Sequence, residues 1–169
     1  MFLQTEKRLV FLVCTKLASM KLHAFLLVAP TYNHSEENTE TMIDIADLDC
    51  IYLSYDEPQK EEFWIKIRNM VPWAKRIDGV HGSDAAHKAA ADASDTERFI
   101  LIDGDNLADE SFFNETIEYK DESYEQAVYR WRARNDVNGL MYGNGGISSC
   151  TKTFVNNMRT HEASEGSDA

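Results

Sequence analysis

Phe99-Ile100-Leu101-Ile102-Asp103-Gly104-Asp105-Asn106 puts four consecutive apolar residues directly before two aspartates that flank a glycine. A continuous apolar run of this length is expected of a parallel strand covered on both faces. The strand should stop at Asp103. In open α/β sheets the ligand crevice lies outside the carboxyl ends of the strands, where Asp103, Gly104 and Asp105 would then fall. Two carboxylates supply hard oxygen donors, and the glycine admits close approach to the backbone. Mn2+ or Mg2+ suits such a pair, whereas zinc is disfavoured by the lack of a nearby cysteine. The same four residues are also good turn formers, so a plain turn is the competing reading.

The flanking segments alternate between strand and helix. Cys50-Ile51-Tyr52-Leu53-Ser54 reads as a strand, closed by the turn Tyr55-Asp56-Glu57-Pro58. Phe63, Ile67 and Met70 follow at helical spacing, and Pro72 ends that helix. Residues 75–80 supply a second short strand. Ser83 or Asp84 is the expected N-cap of a helix through Ala93, whose face of Ala85, Ala86, Ala89, Ala90 and Ala93 lets it approach a sheet closely. Residues 31–48 are polar and acidic and read as a loop or linker. This gives an N-terminal appendage or extra strand over 1–48, one α/β domain over 49–160, and a frayed acidic tail over 161–169.

The chain has 169 residues, enough for one substantial core, and 43% of them are hydrophobic, which argues for a folded protein. Lys plus Arg number 17 against 29 Asp plus Glu, a formal net charge of −12 that repels naked nucleic acid and anionic membrane. The densest basic stretch, Tyr129-Arg130-Trp131-Arg132-Ala133-Arg134, reads either as a phosphate or base contact or as a solvated helix end. Cys14, Cys50 and Cys150 have no metal-ligand or disulfide spacing, so reduced thiols and a cytoplasmic setting are expected. The apolar stretch from Leu9 to Ala29 is interrupted by Lys16, Lys21 and His23, which favours a core strand and a following element over stable membrane insertion.

Taken in order, these pieces resemble the glycosyltransferases of the GT-A fold, above all a group found in phages and bacteria. The matching stretches are Leu53-Ser54-Tyr55-Asp56-Glu57-Pro58, Pro72-Trp73-Ala74-Lys75-Arg76, Ala85-Ala86-His87-Lys88-Ala89-Ala90-Ala91 and Ile102-Asp103-Gly104-Asp105-Asn106. Trp131-Arg132-Ala133-Arg134-Asn135 and Asn138-Gly139-Leu140-Met141-Tyr142-Gly143-Asn144-Gly145-Gly146 complete the set. The resemblance implies a Rossmann-like, three-layer α/β/α domain with a mixed, mostly parallel sheet. It implies transfer of a sugar from a nucleoside diphosphate sugar, a UDP-sugar being favoured, to an undetermined acceptor, of which a modified DNA base is one candidate.

By the same resemblance Tyr55, Asp56, Glu57, His87, Asp103 and Gly104 border the donor nucleotide, and Asp103 and Asp105 hold the metal. Trp131, Arg132, Asn135, Tyr142, Gly145 and Gly146 border the sugar or acceptor. Each has a plainer reading: Tyr55 as a packing aromatic, Asp56 as a turn former, Glu57 as a solvated charge, His87 as a structural histidine, and the two glycines as a tight turn with positive φ. No residue stands out as the catalytic base. Similar proteins usually continue well past the glycine-rich loop, whereas about two dozen residues follow Gly146 here. The expectation is a short form, a fragment, or a domain completed by a partner. Two other functions compete. One is a catalytically silent nucleotide-sugar-binding module. The other is a phosphohydrolase with Asp103 as nucleophile and Asp105 as acid, which the leucine at position 107 disfavours.

Overall fold

A computed structural model describes residues 41–119, 124–143 and 145–159. The Leu9 to Ala29 stretch, Cys14, Asn144 and the acidic tail from His161 lie outside the described residues. Among the described residues, five strands form a sheet in the order Lys75–Asp78, Asp49–Ser54, Arg98–Asp103, Ile147–Thr151, Tyr129–Arg130, accompanied by two two-stranded ribbons.

Strand β1 (Thr41–Asp44) pairs antiparallel with β5 (Thr116–Tyr119), and a short 3-10 turn at Ile45–Asp47 links it to the sheet. Ile45 and Leu48 are buried in the main core. The folded unit therefore begins by Thr41, and the expected linker over 31–48 is corrected in its last eight residues. The acidic neighbours face solvent, while Ile43 and Ile45 turn inward.

The parallel half forms as the apolar periodicity requires. Strand β2 (Asp49–Ser54) lies centrally, β3 (Lys75–Asp78) pairs with it on one side and β4 (Arg98–Asp103) on the other, both parallel. Helix α1 (Lys60–Met70) carries Glu61 and Glu62 in its first turn and Arg68 in its last, which complements the helix dipole, and it ends before Pro72. Helix α2 (Ser83–Ala93) starts one residue earlier than a Ser83 cap, and two earlier than an Asp84 cap, would place it. Its cap is Gly82 at φ 91, a backbone conformation that suits glycine. The stripe that meets the sheet is Ala86, Ala90 and Ala91, while Ala85 is exposed.

Strand β9 (Ile147–Thr151) joins β4 antiparallel, and β6 (Tyr129–Arg130) joins β9 antiparallel. The sheet thus has two parallel and two antiparallel pairings, and the expectation of a mostly parallel sheet is corrected. The expected solvated helix end at 129–134 is likewise strand: β6, then β7 (Ala133–Arg134), which pairs with β8 (Met141–Tyr142).

Alternation along β4 divides the core between two faces. Ile100 and Ile102 join Tyr52, Ile67 and Val71 beneath α1 and the β1-β5 ribbon. Phe99 and Leu101 join Ile51, Ala90, Ala91 and Val155 beneath α2 and α3 (Lys152–Asn157). The amino edge of the sheet is closed by ion pairs, with the Lys75 ammonium 2.8 Å from Asp49 and 2.7 Å from Asp95. Among the described residues no helix is long and apolar enough to cross a membrane.

Candidate functional site at the carboxyl edge of the sheet

From β2 the chain moves to β3 on one side, and α2 then carries it back across β2 to β4 on the other. Helices α1 and α2 lie on opposite faces of the sheet, and in such folds the helices diverge around a crevice beyond the carboxyl ends of the strands, here β2 and β4. This reversal of strand order is where ligands bind in sheets of this kind. The residues delivered there are Tyr55, Asp56 and Glu57 after β2, and Asp103, Gly104 and Asp105 at the end of β4. The start of β9 forms a third wall, where the Asp103 amide donates to the Gly146 carbonyl at 2.8 Å.

Side chains fix the two turns against each other. The buried Tyr52 hydroxyl lies 2.6 Å from the Gly104 carbonyl and 3.1 Å from that of Lys60, so its single proton serves one at a time and favours the shorter contact. Burial, reinforced by the Glu57 charge, pushes this phenol up to about 12, so it stays protonated. A Cβ at Gly104 would meet the Glu57 carboxyl carbon at 2.6 Å and its oxygens at 2.5 and 2.9 Å, so it would push that carboxylate aside. The Glu57 carboxylate is held over Gly104 by the Tyr55 amide, which donates to it at 2.8 Å. A Cβ at Gly146 would press on the Asn106 amide and approach the Asp103 Cβ at 3.0 Å.

These contacts gather three carboxylates. The Asp103 side chain reaches solvent at the crevice mouth, yet the walls exclude enough water that desolvation raises its carboxyl above the ordinary value. His87 opposes that shift, the charges of Asp105 and Glu57 add to it, and Arg130 opposes it. Asp103 is therefore within electrostatic reach of all four. His87 sits on the first half of α2 with Nδ1 2.7 Å from the Ser83 carbonyl oxygen. A carbonyl only accepts, so Nδ1 carries the hydrogen and Nε2 is left for another partner.

The remaining expected residues separate into two groups. Tyr55 and Asp56 are exposed beside the crevice, Tyr55 with its ring edge-on to His81 at 6.0 Å. Trp131 instead packs edge-on against Phe112 at 4.9 Å, and its backbone bonds Gly145 and Ile147. The side-chain oxygen of Asn135 accepts from the Val137 and Asn138 amides at 2.8 and 3.2 Å and so closes the β7-β8 turn. Arg132 is exposed, as is Tyr142 on β8. Gly145 and Gly146 do not have positive φ, so the tight-turn reading is corrected. Gly145 is needed for close approach, since a Cβ would lie 2.7 Å from the Ala133 nitrogen and 2.8 Å from the Trp131 oxygen.

Sequence reasoning missed one residue at this edge. Asp78 ends β3 and accepts from Lys60 at 2.8 Å, Ser54 at 2.7 Å and Arg76 at 3.1 Å. The Lys60 and Ser54 bonds hold its carboxyl down to about 2. The strand-end rule that singled out Asp103 applies equally to Asp78. Arg130 belongs to the basic stretch read as a phosphate or base contact, and the strand register brings it, of the three arginines there, to the face of Asp103.

Asp103 and Asp105 are a donor set that a hard divalent ion accepts, with water and phosphate oxygens completing its shell. Among the described residues no three His, Cys, Asp or Glu side chains form a ready metal cage. Neither a family model, nor a curated protein, nor a solved structure matches this chain.

Proposed function

We propose that this chain is a metal-dependent glycosyltransferase with a GT-A-like donor domain, acting in the cytoplasm on a nucleoside diphosphate sugar. The observation that carries the reading is the placement of Asp103 and Asp105 at the reversal of strand order, with Glu57 beside them. A divalent ion held by the two aspartates would neutralise charge on the departing diphosphate. The chain's own part is binding and orientation. Tyr52 fixes the turn that carries Asp105, Glu57 and Asn106 pack over Gly104 and Gly146, and the Nε2 edge of His87 can donate to a phosphate oxygen when the ring is protonated, since Nδ1 already bonds Ser83. Tyr55 and Asp56 lie where the nucleoside would enter.

Calorimetry with a panel of nucleotide sugars in the presence of Mn2+ tests binding, and donor hydrolysis or transfer tests the chemistry. Tight, metal-dependent binding of one nucleotide sugar is expected, reduced at least about tenfold in Asp105→Ala by loss of a charged ligand. No binding to any member of the panel overturns the reading. Binding without turnover reduces it to a nucleotide-sugar-binding module.

A further inference from the structure

We propose that Arg130 is a phosphate-binding residue of this site, receiving the donor's diphosphate on the sheet face it shares with Asp103; the inference rests on the donor reading above. The register supplies the geometry. Arg130 pairs with Ser148, and Ser148 pairs with Leu101. Paired residues share a face of a sheet, and residues two apart on one strand share it as well. Leu101 packs in the cluster beneath α2, so Arg130, Leu101 and Asp103 all lie on the α2 face, the face that also carries His87.

The backbone under Arg130 is anchored on both sides. Tyr129 is buried in the core, and Trp131 packs against Phe112. The guanidinium itself is exposed, and among the described residues no carboxylate lies within ion-pair distance of it. On this anchored backbone its fork of donors makes no ion pair among the described residues and is suited to bidentate contact with phosphate oxygens.

Charge makes such a residue necessary. Glu57, Asp103 and Asp105 bring three negative charges, of which a divalent ion cancels two. A nucleoside diphosphate sugar then adds two more on its diphosphate. With the ion alone, the anion would enter a site that is already negative, and Arg130 is a permanent cation within reach of Asp103.

The test is calorimetric titration of the full chain with UDP and, separately, with inorganic pyrophosphate, both with saturating Mn2+. Arg130→Ala should weaken each by about tenfold or more, the worth of a charge-assisted hydrogen bond. Arg130→Lys should recover part of the loss, because an ammonium keeps the charge without the fork. Thermal melting should be unchanged in both variants, and the lysine variant carries the test if alanine disturbs folding. UDP bound as tightly by Arg130→Ala as by the wild type overturns this inference and leaves the donor reading standing. A wild-type chain that binds neither probe overturns both.

Discussion

Strand β4 carries a charge at each end, and the two are treated in opposite ways. Arg98 opens the strand, is buried, and spends its guanidinium on the carbonyls of Glu125 at 2.6 Å and Ala127 at 3.0 Å, with longer contacts to Ser149. It also lies over the Tyr129 ring, 5.0 Å from its centroid. Asp103 closes the strand, reaches solvent, and is crowded by Asp105 and Glu57. A buried cation with its donors satisfied is a fastening. An anion kept beside other anions at a crevice mouth is a site held ready for a cation. Folding alone would remove the second arrangement, because like charges in a poorly hydrated cleft oppose the compact state.

Mutations at the two ends should move stability in opposite directions. Arg98→Met should show the largest effect, a loss of about 3 kcal/mol in urea unfolding, since two carbonyls lose their short contacts at once and the ring loses its cation. Gly145→Ala should cost about 2 kcal/mol, because its Cβ meets backbone that cannot step aside. Asp78→Asn should cost less than about 1 kcal/mol, as expected for a partly exposed ion pair. Its pH dependence is the sharper observable. The Asp78 carboxyl titrates at about 2 when folded against 3.8 in its ordinary state, so its stabilisation is present above 3.8 and lost as pH falls through 2. The difference between wild type and Asp78→Asn should therefore vanish near pH 2. Asp103→Asn should do the reverse and raise stability by up to about 0.5 kcal/mol at neutral pH. A carboxyl raised above its ordinary value costs stability once it ionises, so this gain should disappear in acid, where wild-type Asp103 is protonated as well. If Asp103→Asn proves less stable at pH 7, the crowding described here does not govern the site.

Much of the parallel half was legible in the sequence because each element there is specified locally. Residues 50–54 and 99–102 are apolar runs with clear ends, α1 has its own period and a terminating proline, and the strand-end rule located Asp103 and Asp105. The antiparallel half was hidden because its burial is imposed by neighbours. Strand β9 reads Ile-Ser-Ser-Cys-Thr, a polar sequence, yet Ser149 is fully buried because Arg98 reaches it from the adjacent strand. Strand β1 was masked by its acidic surroundings. The position of Arg130 depends on a register shared by three strands, which no local pattern encodes. Asn135 looked like a ligand-side residue, but an asparagine oxygen two and three residues before free amides is as well suited to closing a turn.

The bond from the Asp103 amide to the Gly146 carbonyl gives the crevice a place in time. Its two partners are far apart in the chain, so the third wall is assembled by a non-local loop closure, and such closures are slow. On a ribosome, β2, β3 and β4 emerge and can pair before β9 exists, leaving Asp103 on an open sheet edge until the last third of the described chain arrives. Ligand captured at the carboxyl end of β4, against the start of β9, should therefore slow hydrogen exchange first at Asp103 and along Ile147–Thr151, well before it is felt at β3.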